Sequence, residues 1–121
     1  MNKIKVDIWN RSFELRVVSD ENDMNSISEK QKEVIDDLFV KNKEVLEDFS
    51  EIFEYCKKKN KEEICSDNIF KYVMPKYLYI IDTENKCVAI MCDYKFDMEH
   101  GIAVVYENDK LTKVVEQDYI L

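Results

Sequence analysis

Hydrophobic and polar positions alternate from the start of the chain: Ile4, Val6 and Ile8 are interleaved with Lys3, Lys5 and Asp7. That period of two predicts a strand with one wet face. After a turn at Asn10-Arg11, Phe13, Leu15 and Val17 alternate with Glu14 and Arg16, so residues 3–18 read as an antiparallel hairpin with its apolar side toward a core. Trp9, next to the turn, is expected to pack over the hairpin end. Residues 19–25 are polar and read as a connecting loop.

The period then changes. Ile35, Leu38, Asn42, Val45, Phe49, Ile52 and Cys56 recur at steps of three and four, flanked by Val34, Phe39, Leu46 and Phe53, which predicts helix with a broad apolar stripe. Ser28 is placed to cap its start, with Gln31 completing a capping box. Asn42 stands in the stripe where an apolar residue is due. Two readings follow: one helix over about 28–59, or two helices meeting near Lys41 to Lys43, the second favoured by the poor helix propensity of Asn. The stripe is wider than a coiled-coil seam, so packing on the domain's own sheet is expected over a helical dimer.

Ser66 or Asp67 would cap a short helical turn carrying Ile69, Phe70 and Val73, which Pro75 closes, because the residue before a proline is pushed out of helical geometry. Beyond it, four runs rich in β-branched and aromatic residues are separated by turn residues: Tyr77 to Ile81, Cys87 to Cys92, Ile102 to Tyr106 and Leu111 to Val115. They predict an antiparallel meander. The second and third are apolar at nearly every position and should lie centrally, covered on at least one face. Asn108-Asp109 is a two-residue hairpin signal, and a last strand is expected over Tyr119 to Leu121. The fold class is therefore α+β: one domain over residues 1–121, in which a hairpin and a meander are covered by a long helix or helix pair.

With one Gly and one Pro in 121 residues, tight turns must be built largely from Asn and Asp. The net charge of −8 repels phosphate backbones and anionic head groups, so neither nucleic acid nor a membrane surface is an expected partner. No apolar run approaches the roughly 20 residues of a membrane span. Residues 20–63 concentrate the acid, with 14 Asp or Glu against 8 Lys. No secretory leader precedes Cys56, Cys65, Cys87 and Cys92, so a cytoplasmic location with free, mostly buried thiols is expected.

The chemically dense stretch is Tyr94 to Val104, where Asp97, Glu99, the only histidine (His100) and the only glycine (Gly101) are neighbours. Histidine and carboxylates could hold a metal or work as an acid/base pair. The alternative is a structural turn, in which Asp97 accepts main-chain N–H groups, Glu99 pairs with a Lys, His100 bonds a carbonyl and Gly101 supplies positive φ. The structural turn is favoured, since no second His or Cys cluster completes a metal set and no nucleophile motif accompanies the loop. Cys92 reads as a core thiol, and no cofactor motif is present.

The segment Phe96-Asp-Met-Glu-His-Gly-Ile-Ala-Val, followed by a strand, an Asn-Asp-Lys turn and a Val-Val strand, resembles the C-terminal signature Trp-Asp-x-Glu-His-Gly-Leu-Gly-Val of an uncharacterised bacterial domain family. Asp97, Glu99, His100, Gly101 and Val104 match. Phe96 replaces the usual Trp, and Ala103 a second Gly. The resemblance implies a helical middle, a strand-rich C-terminus and bacterial origin, among accessory proteins found near toxin systems; it brings no activity, cofactor or catalytic residue with it. Together with small size and acidic asymmetry, these readings lead to a binding protein of the immunity type, not an enzyme, that neutralises a basic toxin by occlusion. Glu29, Glu33, Asp36, Asp37, Glu44, Glu47, Asp48 and Glu51, on exposed helix faces, would be the contacts. The alternatives are a metal-dependent or acid/base enzyme centred on Asp97, Glu99 and His100, and a homodimeric structural module.

Overall fold

The computed structural model describes residues 3–9, 11–18, 29–41, 43–47, 49–60 and 68–120. Six strands form one sheet whose spatial order is their order along the chain: β1 (Lys3–Ile8), β2 (Arg11–Val18), β3 (Val73–Asp82), β4 (Cys87–Tyr94), β5 (Ile102–Glu107) and β6 (Lys110–Val115). The fold is α+β, with the N-terminal hairpin and the C-terminal meander in one sheet. Every neighbouring pair is antiparallel except β2 and β3, which run parallel over Arg16–Val18 and Tyr77–Tyr79. A parallel pair needs a long crossover, and the helical segment supplies it.

The continuous apolar runs of β4 and β5 have their reason in burial on both faces. Val88, Ile90, Cys92, Ile102, Val104 and Tyr106 join the main core, together with Val34, Ile35, Leu38, Leu46, Ile52 and Cys56 of the helical layer. Ala89, Met91, Ala103 and Val105 point the other way, into a smaller cluster with Tyr79 and Cys87. The helical stripe therefore packs on the protein's own sheet. Cys56, Cys87 and Cys92 are free and buried, and Cys65 lies outside the described residues.

The helical layer is more broken than a single kink. It runs from α1 (Glu29–Asp36) through a π turn at Asp37–Lys41 and a 3-10 stretch at Lys43–Glu47 to α2 (Ser50–Asn60). One cause is tertiary: the Leu46 carbonyl, which an α-helix would give to residue 50, instead accepts the Trp9 N–H at 2.9 Å. Asn42 and the expected cap Ser28 lie outside the described residues, and Gln31 is buried. Among the described residues no helix is long and apolar enough to cross a membrane.

Three boundaries differ from the pattern. Ile8 pairs with Arg11, so Arg11, expected in the first turn, opens β2 instead; Trp9 is in left-handed geometry (φ 51°) with its side chain buried, and Asn10 lies outside the described residues. The turn expected to end at Pro75 is only Ile69–Lys71, capped by the Asn68 side chain accepting from Phe70 N at 3.1 Å, and Ser66 and Asp67 lie outside the described residues. Val73 and Pro75 belong to β3 instead. The proline is tolerated because the ladder shifts register between Pro75 and Tyr77, and β2 joins β3 only from Tyr77 onward. Finally, Gln117–Tyr119 form a 3-10 turn where a strand was expected, and Leu121 lies outside the described residues. The amide groups of Gln117 bond backward across the sheet end and take the chain out of the ladder after Val115.

Candidate functional site

The connection from β4 to β5 is pinned from below by aromatic packing. Phe96, in the position of the signature Trp, stacks on Tyr72 (centroids 5.9 Å apart) and meets the Tyr94 ring edge-on at 5.6 Å. The backbone then coils tightly: Lys95 N–H donates to Tyr72 O at 2.8 Å, and Gly101 N–H to Asp97 O at 2.9 Å. Asp97 closes the turn from within, its Oδ1 accepting the His100 N–H at 3.2 Å, while both carboxylate oxygens lie 3.0 Å from His100 Nδ1. That contact places a proton on Nδ1. On the other side of the ring, Nε2 is 3.8 Å from Asp118 Oδ2.

Gly101 has φ of 63°, and a Cβ on it would stand 2.6 Å from the Cys92 carbonyl oxygen and 2.6 Å from Gln117 Nε2. Those two groups are bonded to each other: Gln117 Nε2 donates to Cys92 O at 2.8 Å, and Gln117 N–H approaches His100 O at 3.4 Å. The pairing of Ala103 with Val115 returns the chain to this spot, and Glu116 arrives with it. Ligand atoms of Asp97, His100 and Glu116 consequently lie within 4.8 Å of one another, on half-buried side chains.

The electrostatics follow from this arrangement. The His100 pKa is raised, first by the hydrogen bond to Asp97, then by the negative charge of Asp97, with Asp118 and Glu116 adding smaller amounts against partial desolvation. For Asp97, burial pushes the pKa up, but the bonds from the His100 ring and backbone N–H outweigh it, and the carboxyl titrates below its usual range. Complete burial raises the Cys92 thiol well above the ordinary value, and burial lifts Cys56 to about 11, so both are protonated core groups at neutral pH.

Of the four loop residues singled out in the sequence, Asp97, His100 and Gly101 come together, whereas Glu99 is exposed and, among the described residues, pairs with no lysine. The ring of His100 bonds a carboxylate where a carbonyl was expected. Sequence reasoning missed Glu116, Gln117 and Asp118. The signal available was the hairpin: if β5 and β6 pair, the polar run after Val115 must return beside His100.

The helix acids divide. Glu29, Glu33, Asp36, Glu44, Glu47 and Glu51 are exposed, and Asp48 lies outside the described residues. Asp37 is not the exposed contact expected, because its side chain is 20% accessible and bonds Lys86 at 2.9 Å and Lys41 at 3.3 Å. Lys86, then Lys41, hold its carboxyl below the usual range. Lys86 also reaches Asp109 at 3.4 Å, so Asp37 ties the helical layer to the turns of the sheet.

An α+β protein with one six-stranded sheet, a segmented helical layer and a histidine–carboxylate cluster at a sheet end is thus defined. The chain belongs to the family described as a domain of unknown function (DUF6985), which it matches over residues 1–121. No curated protein and no solved structure matches it.

Proposed function

We propose that this protein is an acidic binding module of the bacterial cytosol, of the immunity type, that neutralises a basic toxin by occluding its working surface. The observation that carries the reading is the helical layer. From Glu33 to Glu54 the chain has eight carboxylates against two lysines, and Glu33, Asp36, Glu44, Glu47 and Glu51 are exposed without an ion pair among the described residues. Such a field speeds encounter with a cationic partner and disfavours anionic ones. Beside it, between β1 and α1, an open groove of about 590 Å³ is lined in part by Ile4, Val6, Phe39 and Val40. Val40 is 65% exposed, an apolar anchor next to the acids.

The test uses the full chain and a variant carrying Glu44→Lys, Glu47→Lys and Glu51→Lys as baits in a bacterial lysate, with captured proteins identified by mass spectrometry at low and moderate salt. A basic protein held by the wild type, weakened by salt and lost by the variant, whose toxicity is suppressed on co-expression, is the expected result. Equal capture by both baits would remove the steering mechanism. A concentration-dependent mass of the protein alone, with no captured partner, would favour the homodimeric module.

A second reading, a metal-dependent or acid/base enzyme, draws on the Asp97–His100 contact, with Glu116 in the place first given to Glu99. It predicts that His100→Ala abolishes turnover while the fold survives; a variant that retains turnover would end this reading.

A further inference from the structure

The geometry points to a binding site for one divalent transition-metal ion of the Zn²⁺ or Mn²⁺ type, held by Asp97, His100 and Glu116, which would tie the segment after β6 to the turn before β5. This inference does not rest on the partner-binding proposal and needs no turnover.

Three features support it. The donors come from two distant stretches of chain, yet one ligand atom from each lies within 4.8 Å of the others. Metal–ligand bonds of about 2.0–2.2 Å put ligand atoms roughly 3 to 3.5 Å apart; His100 Nδ1 and the Asp97 oxygens are already 3.0 Å apart, and a Glu116 carboxylate oxygen stands within 4.8 Å of the other donors. The two stretches are also held together independently of the donors, by Gln117 Nε2 on Cys92 O at 2.8 Å and Gln117 N–H near His100 O. The chain therefore spends little further ordering entropy when an ion binds.

The donor types select the ion. An imidazole nitrogen with carboxylates suits Zn²⁺ or Mn²⁺, whereas Mg²⁺ and Ca²⁺ prefer all-oxygen shells. Asp118, with Oδ2 at 3.8 Å from Nε2, faces the other side of the ring and stands outside this donor set. The donors are half-buried, leaving coordination positions open to water. Binding replaces the Nδ1 proton with the ion, so uptake releases a proton.

His100 is the only histidine, and its ring protons therefore give a single pair of imidazole signals. The full chain, stripped with chelator, is titrated with Zn²⁺ and separately with Mn²⁺ by calorimetry, with Mg²⁺ and Ca²⁺ at the same concentrations, and Zn²⁺ is followed by the His100 ring signals. One saturable equivalent is expected, shifting those signals, weakened at least tenfold in Glu116→Gln and in His100→Gln, and unchanged in Glu99→Gln. The Glu116 variant changes a half-buried surface group by one atom type and keeps the test valid if the histidine variant fails to fold. Absence of saturable uptake, uptake that Glu116→Gln leaves intact, unmoved ring signals on Zn²⁺ binding, or equal uptake of Mg²⁺ would each overturn the site.

Discussion

Two turns of the meander enter left-handed backbone by opposite means. Between β5 and β6, Asn108 (φ 51°) and Asp109 (φ 65°) do so without glycine, in the two-residue geometry that suits the twist of paired strands. Between β4 and β5, Gly101 (φ 63°) does it with the only glycine in the chain. The angle is much the same, so the angle does not explain the choice. Space does: a Cβ at Gly101 would collide with Cys92 O and with the Gln117 amide. Trp9 and Lys86 make the same point, since both hold positive φ with full side chains, one buried over the hairpin end and the other engaged with Asp37 and Asp109.

The largest effect should come from Gly101→Ala. A left-handed alanine costs about 1–2 kcal/mol, and the forced contact should bring the total loss of stability to about 3 kcal/mol, measured by chemical denaturation. A loss under about 1 kcal/mol would mean that the angle alone matters and would break the comparison. Next is Gln117→Ala, which leaves the Cys92 carbonyl without its donor at a cost of about 1–2 kcal/mol. It also opens room beside Gly101, so the double variant should lose less than the two single losses combined. Asn108→Ala, where only the backbone objects, should cost about 1 kcal/mol, and Asn108→Gly less than half of that.

The smallest effect expected is the pH response of the turn. The folded-state pKa of His100 is raised above its unfolded value. The stability contributed by the imidazolium beside Asp97, Asp118 and Glu116 is therefore fully present below about pH 6.5 and is lost as pH rises through the folded value. Denaturation midpoints of the wild type should fall across that window, and His100→Gln should flatten the slope; an unchanged slope would show that the ring contact contributes nothing to folding. Asp97 and Asp37, with lowered values, act in the opposite sense, losing their contribution as pH falls below about 4.

What could be read from the sequence was whatever depends on neighbours in the chain. Alternation in residues 3–18 and the unbroken apolar runs of β4 and β5 reflect one-sided and two-sided burial, and Asn108-Asp109 is local turn chemistry. Asn42 marked an interruption of the helical stripe, but the width of the break depends in part on Trp9 taking the Leu46 carbonyl, a contact between residues far apart. The same contact and the burial of Trp9 accompany the opening of β2 at Arg11, a residue expected in the first turn. In the candidate site, Asp97, His100 and Gly101 lie within five positions and were visible. Glu116 and Gln117 were not, because they reach the turn only through strand register. Asp37 looked like its exposed neighbours until Lys86 was placed opposite it.

The parallel seam between β2 and β3 has a consequence for the order of assembly. The hairpin and the meander are each stitched from sequence-local pairings, whereas the seam joins them through three residue pairs across the whole helical segment. Pairings that span long stretches of chain form slowly, because loop closure must precede them. The hairpin and the meander should therefore mature first and be joined last, and exchange of the amides at Arg16–Val18 and Tyr77–Tyr79 should report that final step as a separate, less protected unit.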